Sequence, residues 1–155
     1  MPQTAPGKVA YAGFWLRLLA VFIDSLVLAI PSLAIVIFAV MFLGFEVPPP
    51  EAPIGTLPPM RVFLPMEAMF LTLQWLYFAS MESSSWQGTL GKRALGIGVS
   101  DLHGKRVSFG RASVRFIGKL LSGATFLVGY VMAAFTEKRQ ALHDIIADCI
   151  VVKMP

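Results

Sequence analysis

Two charged residues, Arg17 and Asp24, stand inside the first long apolar run of the chain. They are seven positions apart, almost two helical turns, so a helix places them on one face about 10 Å apart along its axis. An arginine at the border of a span can extend its guanidinium towards the interface. An aspartate at the centre of a span costs about 2.5–3.5 kcal/mol, and less nearer its ends. Asp24 must therefore face protein or trapped water and have a partner. Its chemistry is either that of a proton or cation site or that of a buried polar link between helices. Glu67, beside Pro65, is a second intramembrane acid towards the outer end of its own run. Gln74, near mid-span, reads as an interhelical hydrogen-bond donor.

Other reactive side chains give weaker patterns. His143, Asp144 and Asp148 set two carboxylates at i,i+4 beside one imidazole, too few ligands for a metal centre without a second cluster. Ion pairing of these acids with the basic segment or with Arg17 is the stronger expectation. Ser25, Ser83, Ser84 and Ser85 have no base at a recognisable spacing, so nucleophilic catalysis has no support. Gly88-Thr89-Leu90-Gly91-Lys92-Arg93 lacks the spacing of a phosphate loop, and Arg93 stands where a magnesium-binding hydroxyl belongs. The single cysteine, Cys149, has no partner for an intramolecular disulfide. No enzyme activity, metal or cofactor is expected.

The elements that position these residues are set by composition. Apolar residues make up 56% of the 155-residue chain, charged residues 14%, and the mean hydropathy is +0.71. That balance is far from a soluble domain, and the apolar residues are grouped in long runs. The expected fold class is an all-α membrane protein formed as one domain over 1–155. Two firm spans, about 16–43 and 62–81, flank an outer proline-rich loop at 44–61. Residues 18–43 alone would extend roughly 39 Å as a helix against a hydrocarbon core of about 30 Å. Pro31 implies a kink in the first span.

A basic segment at 82–115 follows, and residues 82–119 hold seven of the thirteen lysines and arginines. Residues 97–100 and 106–109 flank Asp101-Leu102-His103-Gly104-Lys105, the pattern of a short β-hairpin. The run at 149–152 is a second candidate partner for 97–99. Arg111, Arg115 and Lys119 recur every four residues on one face of an amphipathic helix, and with Lys92 and Arg93 they form an expected basic patch at the membrane surface. The net charge of +4 is thereby explained by headgroups, with no need of nucleic acid. A third apolar helix, about 116–135, is short or re-entrant, with basic residues on both flanks. Positive-inside counting places the N-terminus and the basic segment in the cytoplasm, and a cytoplasmic C-terminus follows if the third helix turns back.

In three ordered blocks the chain resembles the RDD family of small bacterial membrane proteins, named for one arginine and two aspartates. The blocks are Gly13-Phe14-Trp15-Leu16-Arg17 with Asp24, then Gln87 to Gly96, then Arg139-Gln140-Ala141-Leu142-His143-Asp144. The resemblance implies that Arg17, Asp24 and Asp144 are the signature residues and that the protein lies in a bacterial inner membrane. Thr89-Leu90 departs from the Thr-Pro pair frequent in the family.

Two functions follow. In one, Asp24, with Glu67, binds a proton or small cation in a transport-related oligomer, because so few spans cannot enclose a path alone. In the other, Arg17, Asp24 and Asp144 form a structural ion-pair network in a membrane scaffold or accessory subunit. The expected partners are the bilayer, its anionic headgroups, and either further copies or another membrane protein.

Overall fold

The computed structural model describes residues 10–42, 44, 51, 53, 60–125 and 128–154. Two helices in it are long and apolar enough to cross a membrane. Helix α1 runs from Phe14 to Phe42, with Pro31 inside it. Its 29 residues extend roughly 44 Å. Leu18, Leu19, Phe22, Leu26, Ile30 and Leu33 are all exposed. Apolar side chains turned outward along a whole helix are stable only where lipid replaces water. Helix α2 runs from Met60 to Ser83 and contains Pro65.

The chain divides into two compact units. One is residues 26–74, the later part of α1 with the earlier part of α2. Ala39 and Val62 are fully buried there, and the rings of Phe38 and Phe42 stack 5.1 Å apart. Glu67 is half-buried and Gln74 exposed. The expected proline-rich loop falls almost wholly outside the described residues.

The other unit joins the start of the chain, up to Ser25, to everything from Trp75 onward. A one-turn helix α3, Leu90–Ala94, leads into strand β1, Ile97–Asp101. Helix α4 covers Phe109–Ala124, α5 covers Val128–Val131 with a 3-10 turn to Ala134, and α6 covers Leu142–Ile146. Strand β2, Cys149–Lys153, closes the series.

The expected hairpin within the basic segment does not form. β1 pairs antiparallel with β2, from Ile97 opposite Lys153 to Asp101 opposite Cys149. Residues 106–108 lie outside any strand, and Phe109 already begins α4. What the hairpin reading caught is the turn: the Asp101 amide donates to the Lys105 carbonyl at 2.9 Å, and the Asp101 carboxylate accepts from the His103 and Lys105 amides. The partner is β2 because its alternation puts Cys149 and Val151 into the core beside Ile97 and Val99, all fully buried.

On the free edge of β2, the start of the chain adds a further short ladder. The Ala12 amide donates to Val151 at 2.9 Å, the Lys153 amide to Ala10 at 2.8 Å, and Tyr11 bridges Val152. Backbone from before α1, from after α2 and from the end of the chain is thus hydrogen-bonded in one small sheet.

Helix α4 starts at Ser108, whose hydroxyl accepts from the Arg111 amide. It is amphipathic with its apolar side outward: Phe109, Val114, Ile117, Leu120 and Leu121 are exposed, while Ala112, Arg115, Phe116 and Ser122 are buried. α4 and the α5 segment do not form one straight rod but bend by 117°. The bend is held by contacts: the Tyr130 hydroxyl donates to the Lys119 carbonyl at 3.1 Å, and Gly129 packs so close to Ser122 that an added Cβ would lie 2.8 Å from it.

Candidate functional site

Two buried polar constellations lie in the second unit, one around Asp24 and one around Asp144 and Glu82. Asp24, 1% exposed, is two turns along α1 from Arg17 but does not bond to it. Its partners come from α2, from the residue before α3 and from α3 itself. The Tyr77 hydroxyl donates to Oδ1 at 2.8 Å, the Gly91 amide to Oδ1 at 2.8 Å, and the Thr89 hydroxyl to Oδ2 at 2.6 Å. The Leu90 amide donates in turn to the Tyr77 hydroxyl at 3.2 Å.

Asp24 therefore acts as a cap supplied from another helix, accepting from an amide at the N-terminus of α3 that has no partner within that helix. The approach is close enough that only glycine fits at 91: an added Cβ would collide with the Ala20 carbonyl and lie 2.9 Å from Asp24 Oδ1. The run at 88–93, which fails as a phosphate loop, thus has a different chemistry. It cradles a carboxylate of the protein itself.

The second constellation is ionic. Arg17 Nη1 pairs with Asp144 Oδ2, while its Nε donates to the Ala12 carbonyl at 3.1 Å and its Nη2 to the Arg139 carbonyl at 2.6 Å. Arg115, from the inner face of α4, sits between two acids. Its Nη2 lies 2.6 Å from Asp144 Oδ1 and its Nη1 lies 2.7 Å from Glu82 Oε2. Glu82 Oε1 takes two ammonium groups, Lys92 at 2.5 Å and Lys119 at 3.1 Å. Lys119 also lies 3.8 Å over the Phe78 ring. Asp144 is completely buried and accepts the Ala141 amide at 3.1 Å as well, capping α6.

Burial alone would raise the Asp144 carboxyl, but the guanidinium groups of Arg115 and Arg17 outweigh it and hold the carboxyl well below its ordinary range. Burial pushes His143 down to about 3, with Arg115 acting the same way, so the imidazole is neutral. Burial also pulls the Lys92 ammonium down to about 7 against the opposing pull of Glu82.

His143 Nδ1 lies 3.3 Å from the Ser122 hydroxyl, which also bonds the Gly118 carbonyl at 2.8 Å. Gly118 lets α6 approach α4, since an added Cβ would come within 2.9 Å of His143 Cβ. Asp148 lies beyond the end of α6, exposed, with φ at 49°.

The structure brings Arg17 and Asp144 together and keeps Asp24 apart from both. Of the five residues expected in a basic surface patch, Arg93 and Arg111 are exposed, and Arg111 lies 3.9 Å from Asp101. Lys92, Arg115 and Lys119 are turned inward onto acids, so they do not form a surface patch. The four-residue spacing of Arg111, Arg115 and Lys119 marks one face of α4 but is silent on which way that face points. From sequence, Glu82 and Tyr77 have no polar role, and Thr89 and Gly91 are marked only as members of the 87–96 block. The signal for Glu82 was an acid on the last turn of an apolar helix, upstream of a strongly basic segment.

Two helices long and apolar enough to cross a membrane, with buried polar groups tying them to α3, α4 and α6, mark an integral membrane protein. Residues 11–148 match the profile of the RDD family, and the chain belongs to that family. It is 38% identical over 146 residues to the uncharacterized protein YxaI of Bacillus subtilis, covering 91% of this chain and 96% of that one. It is 31% identical over 149 residues to the uncharacterized membrane protein YteJ of the same organism, covering 92% and 81%. It is also 29% identical over 142 residues to the uncharacterized protein YckC, covering 88% and 80%. No solved structure matches the chain.

Proposed function

We propose that the protein is a membrane scaffold or accessory subunit in which the buried charges hold the elements together and do not carry ions. The observation behind this reading is that every buried acid of the second unit already faces fixed donors or cations of the protein itself. Asp24 accepts three donors, Glu82 faces three cations, and Asp144 faces two arginines and an amide. A carboxylate that must bind and release a cation needs coordination left open, whereas these are neutralised by fixed groups. The transport reading draws its support from Glu67 and from the occurrence of acids inside spans. Ser122, His143 and Asp144 lie together without supporting an enzyme reading: the serine is fully buried and the aspartate is held by arginines.

The same reading gives a topology. Segments paired in one sheet about 5 Å apart lie on one side of a bilayer, so α1 and α2 cross and return, and α4 with α5 forms a re-entrant hairpin. The excess of lysine and arginine makes that side cytoplasmic, in the cell membrane of a bacterium. The partner is another copy or another membrane protein meeting the exposed spans.

Reconstitution into proteoliposomes tests the function. The account expects no proton or small-cation flux above that of empty liposomes, and expects Asp24→Asn to lower the melting temperature and the yield of assembled protein. Flux in the wild type that Asp24→Asn abolishes while leaving assembly intact would reverse the conclusion.

A further inference from the structure

The ionic constellation is not neutral. Arg17, Arg115, Lys92 and Lys119 share only Glu82 and Asp144, and His143 beside them is uncharged, which leaves two positive charges in excess. Four of the six members are far from water: Lys92 is 5% exposed, Arg115 2%, Glu82 1% and Asp144 0%. Excess charge in such a place is costly, and it is relieved either by an anion or by loss of a proton. The two arginines cannot lose theirs, and Asp144 is occupied by both of them, so relief falls to Lys92 and Lys119, either by loss of a proton or by an anion beside them. The ammonium groups of Lys92 and Lys119 meet at one oxygen, Glu82 Oε1. Each has three N–H donors and uses one on that oxygen, so donors remain on both for an acceptor beside Glu82.

The location favours a particular anion. Lys119 is the more open of the two, with 14% of its side chain exposed against 6% for Lys92. It stands on α4, whose outward face of Val114, Ile117, Leu120 and Leu121 is apolar and exposed, as in a helix seated among acyl chains. Trp15 and Trp86, exposed by α1 and after α2, are of the type that gathers at headgroup level. A partly open cation on such a helix is suited to lipid phosphate.

We propose that Lys119, with Lys92 behind it, binds the phosphate of an anionic phospholipid headgroup, and that this bound lipid neutralises the buried cluster. The inference does not depend on the scaffold reading, since a transporter could hold the same lipid.

The test uses the purified full chain in a neutral detergent, with melting followed on addition of dioctanoyl phosphatidylglycerol, dioctanoyl phosphatidylcholine, or sodium phosphate against sodium chloride at equal ionic strength. Phosphatidylglycerol is expected to raise the melting temperature saturably, and phosphatidylcholine to have little effect. Loss of one charge-assisted contact in Lys119→Gln should weaken the half-saturating concentration about tenfold. Exposed Arg93→Gln should leave it unchanged. Lys119→Gln and Lys92→Met should melt no lower than wild type without lipid, because each removes an uncompensated charge; a plain salt-bridge role would lower both. An equal rise with inorganic phosphate supports the phosphate site and names free phosphate as its source.

Native mass spectrometry of the wild type provides a readout that needs no variant: one phosphatidylglycerol retained in preference to phosphatidylcholine. Equal retention of the two lipids, or a phosphatidylglycerol response unchanged in Lys119→Gln, would overturn the proposal.

Discussion

Asp24 and Asp144 are both buried aspartates, yet different chemistry stabilises each. Asp24 keeps its place through two hydroxyls and an amide, all neutral donors, whereas Asp144 depends on two guanidinium groups. The difference has a pH signature. His143 takes up a proton near 6.5 when unfolded but only near 3 in the folded protein, so the unfolded state holds more protons between those values and stability falls as pH drops through that window. Asp144, held below its ordinary range, adds a further loss below about 4 with the same sign. Lys92 has the same sign at the other end: free lysine keeps its proton to about 10.4, the folded group only to about 7, so its penalty lifts as pH rises between them. In detergent without added lipid, the melting temperature should therefore rise from pH 3 to about pH 9, above which the buried Cys149 thiol, pushed up to about 11, acts with the opposite sign. A maximum near pH 6 in such a series would show that these groups do not dominate.

At the scale of elements, close approach of backbones matters as much as charge. α3 lies against α1 because position 91 has no side chain, and the Asp24 cap forms only at that distance. Gly91→Ala should cost about 1–3 kcal/mol, as overpacking of a filled site does, and lower the melting point. Gly123→Ala, on α4 with nothing within 4 Å of an added Cβ, should be neutral or slightly stabilising. Equal effects of the two substitutions would remove the steric argument.

This scale also divides what could be read from the chain alone. The two spans were legible because an apolar run long enough to cross a bilayer has few other readings. That Asp24 needed a partner was legible from the cost of burying it. The partners themselves were not, since Tyr77, Thr89 and Gly91 lie 53, 65 and 67 positions away and share no local pattern with it. The face of α4 was readable but its direction was not, because periodicity carries no sign. A helix in water turns its charges out, and this one turns Arg115 and Lys119 in. The strand partner of β1 could not be chosen locally either, since residues 106–109 and 149–152 offered similar alternation.

Across the whole chain, one small sheet ties together the segment before α1, the segment after α2 and the final strand. In the proposed topology that connectivity goes with an even number of crossings. A reporter fused after Pro155 should give a cytoplasmic signal in bacterial cells, equal to that of one fused before Met1. An external signal at the C-terminus would mean that α4 and α5 cross the bilayer and that the sheet does not form in the membrane.

The central claim is that the buried charges hold these elements together. A double-mutant cycle on Arg17→Ala and Asp144→Asn, read as unfolding free energy in mixed micelles, tests it most directly. Asp144→Asn should cost about 3–5 kcal/mol, because it leaves two arginines without their carboxylate, and Arg17→Ala less, because Asp144 keeps Arg115. The pair should cost less than the sum, with a coupling of about 1–3 kcal/mol. Strict additivity, with a coupling within about 0.5 kcal/mol of zero, would contradict the account.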